Sequence, residues 1–150
     1  MTITIPPRVQ LPTGSIVVGV NPCFPNSAVL TWALNAAGSY GSRITVVSVR
    51  SRRGAPRPRH WAERAQQMAI AHALAEFRGH KPGVVGTVVD GEPAAALIEA
   101  SAGALLLVLG THPTPTVPSA PLGRLTDVCL RYADCPVVLV PAGPDFPIQQ

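Results

Sequence analysis

The chain has 150 residues, 47% of them hydrophobic and 13% charged, a balance that predicts one compact domain with extensive buried sheet and excludes a disordered chain. Its three cysteines, Cys23, Cys129 and Cys135, are an odd set with no C-x-x-C and no histidine at metal-ligand spacing, so neither a disulfide framework nor a zinc site is indicated. The formal net charge of +4 is unevenly spread, with six of the 12 basic residues falling between Arg50 and Arg64.

Met1 to Thr13 lacks the basic start and apolar core of a signal peptide, and no run approaches the roughly 18 apolar residues of a membrane span. A soluble, cytoplasmic protein is therefore expected. Pro6, Pro7 and Pro12 make residues 1–13 an extended arm, residues 142–150 read as a polar tail, and the domain is expected over residues 14–141.

Ile16 to Val20 is a first buried strand, and Asn21 to Pro25 is the turn that leaves it. Asn26 or Ser27 can cap a helix whose apolar face is read as Val29, Leu30, Trp32, Ala33, Ala36 and Ala37, with Gly38 as its stop. Ile44 to Val49 is the second strand. Arg50, Arg52, Arg53, Arg57, Arg59 and Arg64 follow, with His60 among them. This segment is either a solvated loop or a patch for an anion or an acidic partner; nucleic acid is a weaker third reading, because only Trp61 interleaves the charge.

Trp61 to Arg78 is the longest helical pattern, with Ile70, Leu74 and Phe77 on one line, Ala65, Met68 and Ala69 beside it, His72 expected partly buried, and Gly79 as its stop. Val84 to Val89 is a third strand, read as interrupted by Gly86. Gly91-Glu92-Pro93 opens a helix with Ala94, Leu97, Ile98 and Ala102 inside and Gly103 at its end. Leu105 to Leu109 is an unbroken apolar strand. Thr111 to Pro121, carrying Pro113, Pro115, Pro118 and Pro121, is a stiff, extended loop. Leu122, Leu125, Val128, Cys129 and Tyr132 trace a short helix, with Asp127 and Arg131 paired off that face, and Val137 to Val140 form a last strand. Cys129 reads as a buried, inert thiol, which leaves Cys23 as the candidate reactive one.

Five short apolar strands alternating with four helical patterns predict an α/β fold: a parallel sheet with helices on both faces. The run Leu107-Val108-Leu109-Gly110-Thr111-His112, then Gly123, then Ala133-Asp134-Cys135-Pro136-Val137-Val138-Leu139-Val140, resembles the universal stress protein family. Trp32-Ala33 in the first helix and the Gly-Glu-Pro-Ala entry of the third are similar to the family as well. The resemblance implies a doubly wound five-stranded sheet of order 3-2-1-4-5, adenine-nucleotide-hydrolase-like, with Asn21 facing Gly110 across the switch-point crevice. It further implies an adenine nucleotide, ATP or AMP, contacted by Asn21, Val49, Gly110, Thr111, His112, Gly123, Arg124 and Leu125.

The departures from that pattern bear on function. Nucleotide-binding members place Asp where this chain has Asn21, glycine where it has Pro113, and Ser or Thr where it has Arg124. Proline supplies no amide and no positive φ, so a phosphate cradle of backbone amides is degraded. Catalysis is not expected: the histidines make no H-x-x-H or H-E-x-x-H spacing, no G-x-S-x-G elbow is present, and the H-x-G-H signature of related nucleotidyl transferases is unmatched. Two readings follow, a stress-response scaffold or regulator without ATP, and an adenine-nucleotide binding module. Val137, Val138, Leu139 and Val140 would form a sheet edge without charge or proline, which predicts a homodimer through this strand, as the resemblance also implies.

Overall fold

The computed structural model describes residues 14–22, 27–51, 57–111 and 123–141. In chain order these form β1 (Ser15–Gly19), α1 (Ser27–Tyr40), β2 (Arg43–Arg50), α2 (Arg59–Glu76), β3 (Val84–Asp90), α3 (Pro93–Ala100), β4 (Leu106–Thr111), α4 (Arg124–Tyr132) and β5 (Val137–Pro141). The strands make one sheet of order β3-β2-β1-β4-β5, every pair parallel. The expected arm and tail, Cys23, Arg52, Arg53, His112, Pro113 and the rest of the proline-rich loop lie outside the described residues.

The central strands are continuous apolar runs because each covers two cores. Ile16, Val18, Ile44, Val46 and Val108 pack under Val29, Leu30, Ala33 and Leu34 of α1 and Ala73 of α2. Val17, Val47, Leu107 and Leu109 face the other way, against Ala94 and Leu97 of α3 and Cys129 of α4. Alternate residues of one strand thus serve opposite faces, as the pleat requires. No helix among the described residues is long and apolar enough to cross a membrane.

Several helical patterns are corrected in detail. The buried stripe of α1 is Val29, Leu30, Ala33, Leu34 and Ala37, and Trp32 falls outside it, 36% exposed. Gly38 lies inside α1. The stop is Gly41, whose φ of +66° lets Ser42 N–H return to the Ala37 carbonyl at 3.0 Å. In α2 the fully buried positions are Ala62, Gln66 and Ala73, so His72, one residue off that line, is exposed, and Met68 likewise points to solvent. Leu125 and Tyr132, at the two ends of α4, are exposed, while Thr126 and Cys129 face the sheet. Ala102 lies beyond α3, and Leu105 precedes β4 and is exposed. Asp127 and Arg131 pair as their spacing predicts, at 3.2 Å.

Candidate functional site at the carboxyl ends of the strands

β1 and β4 pair only from Ile16–Leu106 to Val18–Val108. Beyond that point β1 stays with β2, through Gly19 opposite Val47 and a 3.0 Å bond from Val20 N–H to the Val47 carbonyl. β4 instead stays with β5 as far as Thr111 opposite Pro141. The helices after β1 and β2 cover one face and those after β3 and β4 the other, so the chain departs in opposite directions from these two central strands. The result is a crevice at the topological switch point, where doubly wound sheets bind ligands. Its wall is close-packed: a Cβ on Gly19 would lie 2.8 Å from Leu109 Cδ2 and 3.2 Å from Leu97 Cδ1.

The structure brings several expected residues to this end of the sheet. Asn21 is exposed two residues beyond the end of β1; Gly110 and Thr111 end β4, half-buried, opposite Val140 and Pro141. Val49 is half-buried in β2, paired with Val89. Gly123 is the N-cap residue of α4 with φ −60° and ψ 167°, extended backbone open to any residue, and no side chain caps the first turn. Arg124 is the first helical residue and is exposed, as is Leu125. The chain from His112 to Leu122 that would complete the loop is not among the described residues.

A buried polar relay under the crevice escaped the sequence reading. The two N–H groups of the Gln66 side-chain amide donate to the Thr87 carbonyl at 2.8 Å and to Ser48 Oγ at 3.0 Å, and the Val46 carbonyl, 3.3 Å from the same nitrogen, shares one of them. Ser48 Oγ in turn donates to the Val20 carbonyl at 2.8 Å, fixing the backbone that leads into Asn21. Gly86 makes room for this amide, since a Cβ there would fall 2.4 Å from Gln66 Oε1. β3 is therefore continuous through Gly86, contrary to the expected interruption: the glycine is required by close approach and carries no break. A glutamine inside an otherwise apolar helix line was the available signal.

The arginine segment is partly committed within the molecule. Arg50 binds Asp90 through two bonds, Nε to Oδ1 at 2.8 Å and Nη2 to Oδ2 at 3.2 Å. Arg59 reaches the same carboxylate, Nη2 to Oδ2 at 3.0 Å, and its Nη1 donates to the Val88 carbonyl at 2.7 Å. The hydrogen bonds from Arg50 and then Arg59 hold the Asp90 carboxyl below its ordinary range, against the opposing effect of partial desolvation. Arg57 stacks on Trp61 with its guanidinium carbon 4.4 Å from the ring centroid, and its carbonyl accepts from Arg50 Nη1 at 3.4 Å.

Among the described residues no group of three His, Cys, Asp or Glu side chains is placed to hold a metal ion. Burial, reinforced by Glu92, pushes the Cys129 thiol up, and burial also raises Cys135 despite a hydrogen bond with Ser101. Cys129 is fully buried, as its place on the helix predicts.

The model of the universal stress protein family matches residues 13–141. No curated protein matches the chain significantly. Solved structures share its fold: a universal stress protein in complex with cAMP is 19% identical, with a TM-score of 0.65 over 87% of this chain and 98% of that one. The universal stress protein from Archaeoglobus fulgidus in complex with dAMP is 18% identical, TM-score 0.60, over 85% and 97% of the two chains. A family member from Arabidopsis thaliana with AMP bound is 16% identical, TM-score 0.59, over 91% and 97%.

Proposed function

Because the chain belongs to the universal stress protein family, we propose that it acts as a stress-response scaffold or regulator that does not bind ATP in the family's usual manner. The observation that carries this reading is Arg124, exposed at the first position of α4, where nucleotide-binding members offer a small hydroxyl residue to phosphate. Pro113 adds to it by withholding an amide from the loop, and Asn21 replaces the acceptor carboxylate after β1. These residues do not fit a triphosphate cradle of backbone amides. The reading includes the absence of catalysis: the histidines make no H-x-x-H or H-E-x-x-H spacing, no G-x-S-x-G elbow is present, and His112 by itself is not a mechanism. Isothermal calorimetry with MgATP tests the reading, since a low-micromolar dissociation constant would overturn it.

The second reading, an adenine-nucleotide binding module, is favoured by Gly110 and Gly123 at family positions, by the topological switch point between β1 and β4, and by the cAMP, dAMP and AMP complexes of its structural relatives. Heat release of any co-purified nucleotide, run on an anion-exchange column, distinguishes the two: a stoichiometric ATP or AMP peak selects the module. The scaffold reading includes a homodimer through β5. That strand pairs only with β4 among the described residues, leaves Val137, Val138 and Leu139 half-buried, and carries no charge to deter a second copy. A cytoplasmic location belongs to the same proposal.

A further inference from the structure

We propose that the arginine surface at the carboxyl ends of β2 and β3 receives an acidic, Asp/Glu-rich segment of a partner protein. This deepens the scaffold reading by naming the partner's chemistry, and it does not depend on the state of the nucleotide loop.

The charge of the chain is concentrated here. Among the described residues four arginines, Arg50, Arg57, Arg59 and Arg64, stand here against two carboxylates, Glu63 and Asp90, an excess of two positive charges on one small surface. Asp90 shows how the region treats a carboxylate. It is gripped by two guanidiniums through three bonds of 2.8–3.2 Å, the geometry in which arginine is most selective for planar anions. The guanidiniums of Arg57 and Arg64 are left over: both residues are exposed, and neither guanidinium enters a hydrogen bond or ion pair among the described residues. Arg57 is nonetheless held in place, its guanidinium over Trp61 and its carbonyl on Arg50, so its ordering costs little on binding. Arg64, one helical turn beyond Trp61 in α2, extends the same side of the helix.

The alternatives fit less well. One face of Trp61, the aromatic ring of this surface, is already covered by Arg57, which removes that face as a platform on which a nucleic-acid base could stack. A free phosphate ion would meet only exposed charges, each worth little singly, whereas a segment bearing several carboxylates engages them together.

The test uses the full-length protein and a fluorescein-labelled decaglutamate peptide, with oligo(dT) and inorganic phosphate as competitors. Wild type is expected to bind the peptide with an affinity that falls as salt rises, and Arg57→Ser with Arg64→Ser to weaken it about three- to tenfold. Asp90→Asn, which frees Arg50 and Arg59, is expected to strengthen binding several-fold, the opposite of what loss of a merely structural contact would do. Unchanged peptide affinity in the double arginine variant overturns the proposal, as does weaker binding by folded Asp90→Asn, or oligo(dT) or phosphate displacing the peptide at lower charge concentration than decaglutamate itself. Calorimetry with MgATP on the same preparations reads the nucleotide loop separately, so failure of either inference is recognised without the other.

Discussion

Gly86 and Gln66 form a lock whose strength can be worked out. An alanine Cβ at position 86 would sit 2.4 Å from Gln66 Oε1, 3.0 Å from its Cδ and 3.1 Å from Ile70 Cδ1. The amide cannot simply withdraw, because three acceptors on β2 and β3 hold its nitrogen. Overpacking of this kind costs about 1–3 kcal/mol, less the roughly 0.4–1 kcal/mol by which alanine restricts the unfolded chain. Gly86→Ala is therefore expected to destabilise by about 1–2 kcal/mol, a fall of about 2–8 °C in Tm for a domain of this size. Gln66→Ala removes the amide's bonds, each worth about 1 kcal/mol net, and leaves a cavity, for a loss of about 2–3 kcal/mol. With the glutamine gone, the alanine methyl at 86 enters vacated space and the two losses no longer add. Urea unfolding followed by circular dichroism on wild type, both single variants and the double variant measures the difference. A coupling of at least about 1 kcal/mol is expected, and additivity within about 0.5 kcal/mol would refute the steric account.

Replacing Pro113 by Gly together with Arg124 by Ser is expected to raise MgATP affinity in calorimetry by at least about tenfold, roughly 1.4 kcal/mol; no gain would remove these two residues as the cause of weak binding. Asp90, held below its ordinary value of 3.8 by Arg50 and Arg59, contributes stability that is present above that value and is lost as pH falls through the lower, folded one. Asp90→Asn should therefore flatten the acid limb of a stability-pH profile, and identical limbs in the two proteins would count against the clasp. Light scattering should report a dimer for wild type and a monomer for Val138→Lys, which puts a charge on the β5 edge; a monomeric wild type, or a variant that stays dimeric, would discard that interface.

The sequence by itself determined the architecture. Buried parallel strands must be apolar on both sides, so runs such as Ile16–Val20 and Leu107–Leu109 announce strands wherever they occur, and helical spacing between them leaves few topologies. Local chemistry was legible where spacing states it: Asp127 meets Arg131 one helical turn away at 3.2 Å, whereas the Glu92 side chain that caps α3 through the Ala95 amide at 2.9 Å emerged only from the structure. What only the tertiary structure decided are matters of direction and distance across the sheet. Whether Trp32, Met68 or Tyr132 is covered depends on how wide a stripe each helix lays on the strands, which composition does not state. Gly86 read as a break until Gln66, twenty residues earlier in the chain, came to rest against it. Arg50 and Asp90 are forty residues apart, yet they are register partners on adjacent parallel strands. No spacing rule encodes that pair, because it exists only once β2 and β3 lie side by side and end together.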